Sequence, residues 1–172
     1  MAITTAVTAS AGASWQKKET DPLNSSTFFD DQGNFQYAKN FTDGSGLESV
    51  NSFFHDRIGL AAGADTTIDM QSLSTTLFGT SITTTLTGVK QLYLENTSTG
   101  NGQNLHLLAT GTNANLTIMN GSGNFVVYPK SAINFTNFVS GWIVTNITKN
   151  LIVRNAGAIA TTGNFFLAGT SG

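Results

Sequence analysis

The stretch GVKQLYLENTSTGNGQNLHLLAT, residues 88 to 110, constrains the fold most: an alternating run, a loop of Asn, Ser, Thr and Gly, then a second alternating run. In the first run Leu92 and Leu94 fall on one side while Gln91, Tyr93 and Glu95 fall on the other, the period of two that a strand with one buried face requires. Leu105 and Leu107 repeat the pattern in the second run, so the stretch predicts a β-hairpin. Turn-separated runs of the same kind fill the C-terminal two-thirds of the chain.

The predicted strands are Thr66 to Met70, Ser81 to Leu86, Val89 to Asn96, Asn104 to Thr110, Asn115 to Met119, Asn124 to Tyr128, Trp142 to Thr145, Leu151 to Arg154 and Asn164 to Ala168. GTNAN at 111–115 and NGSGN at 120–124 supply the residues that tolerate positive φ in short loops. Pro129 lacks a backbone donor and ends the strand before it. With Ser81 to Asn96 counted as one long bent strand, the body has eight strands. The prediction is an all-β fold, an eight-stranded antiparallel β-sandwich of the jelly-roll type over residues 63–172, preceded by an extended N-terminal arm over residues 1–62. Its core is assigned to Ile68, Val89, Leu92, Leu94, Leu105, Leu107, Leu116, Ile118, Phe125, Val127, Trp142, Val144, Leu151, Val153, Phe165 and Leu167. Residues 71–79 read as a connecting turn or a single helical turn ending at Gly79, and the spacing of Leu47, Val50, Phe53 and Phe54 fits either one helical turn or an irregular strand.

The arm opens with a small, polar tail, yet from residue 15 to 43 it carries Trp15, Leu23, Phe28, Phe29, Phe35, Tyr37 and Phe41. Disordered linkers rarely hold so many aromatics, so these residues are expected to dock on the chain's own body or on a neighbour. His55, Asp56 and Arg57 form the densest charged cluster and predict a salt-bridged or hydrogen-bonded joint between arm and body.

Charge is sparse, 10% of residues, and the net charge of −2 argues against nucleic acid, which selects clustered Lys and Arg. It is also uneven. Residues 1–69 carry four bases and nine acids, for −5, and residues 70–172 four bases and one acid, for +3, an asymmetry that could be complementary between subunits. With no cysteine, a disulfide framework and a thiolate metal site are both excluded. The start lacks a basic and apolar leader and no apolar run is long enough to span a membrane, so the expectation is a protein made in a cytoplasm with no membrane partner.

Catalytic chemistry finds little to use. His55 and His106 are the only histidines, too few for a zinc site of several imidazoles. Glu95 is the only acid after residue 69, so the body cannot supply the paired carboxylates of a glycosidase. Asp30, Asp31 and Asn34 lack the alternating spacing and closing Glu of a calcium loop, and TGNG at 99–102 lies between strands and not ahead of a helix, so it does not qualify as a phosphate cradle. The expectation is a protein that is not an enzyme and binds no cofactor and no metal.

DGSGLESVNSFFHDRIGLAAGADTTIDM at 43–70, SLSTTLFG at 72–79, GVKQLYLEN at 88–96 and NLIVRNAGAIATTGNFFLAGT at 150–170 together resemble a group of small virion structural proteins of tailed bacteriophages. The resemblance covers residues 43–172, and the aromatic arm lies outside it. It implies a jelly-roll decoration or cement protein that stabilises the outside of the phage head. Its partners would be sister subunits, as a homotrimer, and the major capsid protein; its location would be the virion. On that reading the assembly interface is assigned to Trp15, Phe28, Phe29, Phe35, Tyr37, Phe41, His55, Asp56 and Arg57. The alternative is a phage tail or receptor-binding component that contacts host surface glycan through loops such as Asn96 to Gln103.

Overall fold

A computed structural model describes residues 7–20, 27–77, 80–119 and 123–172, with side chains from Phe41 onward except those of Thr76, Leu77, Thr80, Leu116 and Met119. In chain order the strands are β1 (Val7–Thr20), β2 (Thr27–Asp43), β3 (Ser49–Val50), β4 (Ser52–Leu60), β5 (Asp65–Asp69), β6 (Leu73–Leu77), β7 (Thr80–Thr84), β8 (Leu86–Asn96), β9 (Leu105–Leu108), β10 (Asn124–Val127), β11 (Ser131–Thr136), β12 (Trp142–Ile143), β13 (Asn150–Asn155) and β14 (Thr161–Ser171).

The body is an all-β sandwich. One sheet runs β11-β8-β14-β4, with β12 continuing the β11 side of β8, and the other runs β10-β9-β13-β5. The two orders march in step: β11 is matched by β10, β8 by β9, β14 by β13 and β4 by β5, each a neighbour in sequence. That is how a chain fills a jelly roll, by crossing from sheet to sheet. One core lies between the sheets, with Phe54, Leu92, Leu94, Phe165 and Leu167 from the first and Ile68, Leu105, Leu107, Val127, Leu151 and Val153 from the second.

The apolar alternation located the core correctly for most of its predicted members. Phe125 is the main error, 37% exposed with its ring edge-on to Phe135, and Trp142 is only half-buried against the core. Leu116 belongs to the side chains outside the description.

Four predicted elements differ. The expected hairpin at 88–110 is a crossover, because β8 and β9 belong to different sheets. Leucines that face each other across a sandwich alternate just as leucines side by side in a hairpin do, so the period alone does not separate the two cases. Residues 116–119, expected as a strand, form a 3-10 turn whose Ile118 still plugs the core. The expected turn after residue 70 contains β6, which pairs with β7. β4, expected inside the arm, pairs with β14 from Thr161↔Leu60 to Gly169↔Ser52 and buries Phe54, Ile58 and Leu60. The arm–body boundary therefore falls far ahead of residue 62: residues 8–40 form a compact unit of their own, and Phe41 onward belongs to the body.

The uneven charge also finds its use within one sheet. Lys149 pairs with Asp69 at 2.6 Å and Arg154 with Asp65 at 2.7 Å, joining the acidic half to the basic half along β5 and β13. Re-counted at the 40/41 boundary, the leading unit has three bases and four acids and the rest five bases and six acids, −1 each.

Candidate interaction surfaces

Two surfaces stand out, the root of the arm and the outer face of the β8-containing sheet. The root begins with a bulge. Gln91 lies opposite Ala168 and Val89 opposite Gly169, so Lys90 has no residue facing it in β14. A bulged residue is unpaired and its side chain is re-aimed. Lys90 is 3% exposed, and its Nζ donates to the carbonyls of Gly46 at 2.7 Å and Val139 at 3.4 Å. Burial lowers its pKa from the ordinary lysine value, and the nearby Glu48 charge opposes that shift.

The ammonium thereby fastens two loops to one point on β8. Between them the Glu48 amide donates to the Phe138 carbonyl, and the Phe41 ring packs 5.1 Å from the Phe138 ring. Gly141, at φ 72°, passes so close to the bulge that a Cβ there would sit 2.8 Å from the Val89 carbonyl oxygen. The end of β2 is held in parallel register by β3, Thr42 to Ser49 and Asp43 to Val50, and Asn51 continues the attachment by accepting from the Ser171 amide at 2.7 Å. Leu47 and Val139 stay 70% and 58% exposed beside these contacts.

The outer face is read from the cross-strand register. Tyr93 lies opposite Phe166, which lies opposite His55; one step along, Glu95 lies opposite Asn164, which lies opposite Arg57. Phe53 is diagonal to Phe166, and their rings run nearly parallel, 23° apart with centroids at 6.5 Å. Asn164 donates to the Glu95 carboxylate at 2.8 Å. Burial, the Glu95 charge and a hydrogen bond to that carboxylate all push the Tyr93 phenol above its ordinary pKa.

The predicted interface residues separate on this frame. Trp15, Phe28, Phe29, Phe35 and Tyr37 lie on β1 and β2, and their side chains are outside the described residues. Phe41 is 4% exposed and packs within the body. Among the described residues His55, Asp56 and Arg57 make no salt bridge. They are exposed on the edge strand β4, and consecutive strand residues point to opposite faces, which sends His55 and Arg57 outward and Asp56 the other way. The Asp56 carboxylate instead accepts the Arg57 backbone amide at 2.7 Å.

Sequence reasoning did not single out Lys90, Phe138 or Phe166. A signal for Lys90 exists: Val89 and Leu92 are both core residues three apart, which breaks a period of two and implies one extra residue between them. Asn96 at the end of β8 and Ser98 in the loop that follows are buried; the Asn96 amide donates to the carbonyls of Gln103 and Val127 and its oxygen accepts the Ser98 amide. Those polar groups hold the loop and do not face outward. Among the described residues no group of three or more His, Cys, Asp or Glu could hold a metal ion, and no helix is long and apolar enough to cross a membrane.

No family model and no curated protein matches the chain. A crystal structure of the Cupin_2 domain of an XRE family transcriptional regulator from Enterobacter cloacae aligns with a TM-score of 0.36 and 16% identity, covering 67% of this chain and 79% of that one. A likeness of this size assigns no function.

Proposed function

We propose that the chain is a structural protein of a tailed-phage virion, a head-decorating or cement protein that assembles with sister subunits, as a trimer, on the major capsid protein. The observation that carries the reading is the pair of strands ahead of the jelly roll. β1 and β2, of 14 and 17 residues, pair in a unit distinct from the body, and the sequence gives that unit Trp15, Phe28, Phe29, Phe35 and Tyr37. A two-stranded ribbon is marginally stable by itself in water, so a ribbon of this length calls for a further surface against which its aromatics are buried. On this reading the capsid shell or a sister subunit provides that surface. Apolar burial at about 25 cal/mol per Å², repeated over many copies, would stabilise the shell with no bond chemistry.

The test compares the full chain with a chain lacking residues 1–40 for binding to undecorated phage heads, with circular dichroism to follow the body and light scattering to give the native mass. The expected result is a folded truncated body that no longer binds and a full-length trimer at three times 18.1 kDa, or 54.3 kDa. Undiminished head binding by the truncated chain would sink the role given to the ribbon. Recovery of the protein on tails and not on heads would favour the tail reading.

A further inference from the structure

We propose that the outer face of the β11-β8-β14-β4 sheet, centred on Phe53, Phe166 and Tyr93, is a binding platform for an uncharged carbohydrate chain. Phe53 is 57% exposed on the edge strand, a placement that natural sheets more often give to Lys or Pro. Its ring runs within 23° of parallel to that of Phe166 on the next strand, and Tyr93 follows on the strand after that. The Phe53 and Phe166 ring centroids lie 6.5 Å apart and Tyr93 lies directly opposite Phe166, so the three aromatics form one patch across three adjacent strands. The C–H face of a pyranose carries slight positive charge and matches the negative face of an aromatic ring.

Beside the rings lies a row of planar polar groups: the Glu95 carboxylate, the Asn164 amide and the Arg57 guanidinium, in register across β8, β14 and β4. They supply both acceptors and donors to sugar hydroxyls. Asn164 already holds Glu95 through its Nδ2 at 2.8 Å, so the carboxylate is oriented before any ligand arrives. One acid and one base lie in this row, which favours a neutral ligand over a polyanion. A protein partner would seek a pocket for a buried anchor, whereas Phe53 stands exposed on an edge strand with Phe166 and Tyr93 half-buried beside it. None of these residues belongs to the ribbon, so the proposal does not depend on the virion reading.

The test is isothermal titration of the full chain with maltohexaose and with chitohexaose, with a heparin hexasaccharide as the charged comparison. Saturable binding of at least one neutral hexasaccharide, tighter than that of heparin, is expected. Phe53→Ala should weaken it about tenfold, one step on the affinity scale. Asp56→Ala, on the opposite side of the same strand, should leave it unchanged. Absence of binding to both neutral sugars, tighter binding of heparin, or full binding by Phe53→Ala would each overturn the proposal. So would a fall in native mass for Phe53→Ala, which would make the face a contact between copies of the chain.

Discussion

Asn155 offers a sharp test of how the loops of this sandwich are held. Its side chain is completely buried at the end of β13; the amide donates to the carbonyls of Ala61 at 2.9 Å, Ile159 at 2.8 Å and Leu60 at 3.3 Å, and its oxygen accepts the Gly157 amide at 2.9 Å. One side chain thus ties the end of β4 to the loop that precedes β14. Asn155→Ala removes the two short donated bonds and the accepted one and leaves their partners without them. At about 1 kcal/mol for each net bond, and more where a buried group stays unpaired, the loss is about 3 kcal/mol. For a chain of this size that lowers the melting temperature by roughly 6–12 °C. Asn155→Asp, nearly identical in shape, would turn an acceptor toward three carbonyl oxygens and should cost more than the alanine. Urea unfolding followed by circular dichroism, at one fixed protomer concentration because assembly shifts apparent stability, measures both. A loss below about 1 kcal/mol for alanine, or an aspartate variant milder than alanine, would refute the claim that these bonds hold the loops.

Two further predictions concern β4, β8 and β14. A Cβ at Gly169 would collide with the Gly88 carbonyl oxygen, whereas a Cβ at Gly59 meets nothing within 4 Å. Gly169→Ala should therefore cost about 1–3 kcal/mol, and Gly59→Ala should be neutral or stabilising by up to about 1 kcal/mol; equal effects in urea titrations would contradict the packing at the bulge. The raised pKa of Tyr93 gives a pH dependence of defined sign. Above pH 10 an unfolded tyrosine ionises first, so the stability Tyr93 contributes is fully present below pH 10 and is lost as pH rises through its folded value. Tyr93→Phe should accordingly lose less stability than the native chain as the pH rises above 10. An unchanged alkaline limb would exclude Tyr93 as its source.

The parts of the fold legible in the sequence are those where one physical signal dominates. Leu92, Leu94, Leu105 and Leu107 alternate cleanly, and all are fully buried. β4 was obscured because His55, Asp56 and Arg57 interrupt the apolar run from Phe54 to Ile58; an edge strand tolerates such charges, and Asp56 stays exposed even on the side that elsewhere faces the core. β11 was missed for a related reason: Ile133 and Phe135 are only half-buried at the other edge of the sheet, so its alternation is shallow. The pairing of Asp65 with Arg154 and Asp69 with Lys149 links residues some 80 to 90 positions apart, and a charge count along the chain carries no information about such contacts. The aromatic platform was illegible as a unit, because Phe53, Tyr93 and Phe166 meet only through the register of three strands.

The bulge at Lys90 connects these levels. With strict alternation from Leu92, the residue at position 90 would belong to the core side and the residue at 89 to the outer side. The chain has valine at 89 and lysine at 90, which would bury an ammonium among leucines and turn an apolar side chain outward. Inserting one unpaired residue resolves the conflict: Val89 returns to the core, and Lys90 reaches the carbonyls of Gly46 and Val139. The ammonium is still taken out of water, and its lowered pKa records that cost, so charge burial by itself does not explain why lysine stands there. A buried donor that must satisfy two carbonyls from separate loops does, however, restrict where those loops can lie. Restriction of those two loops to one point on β8 is thus a better account of Lys90 than stabilisation of the fold.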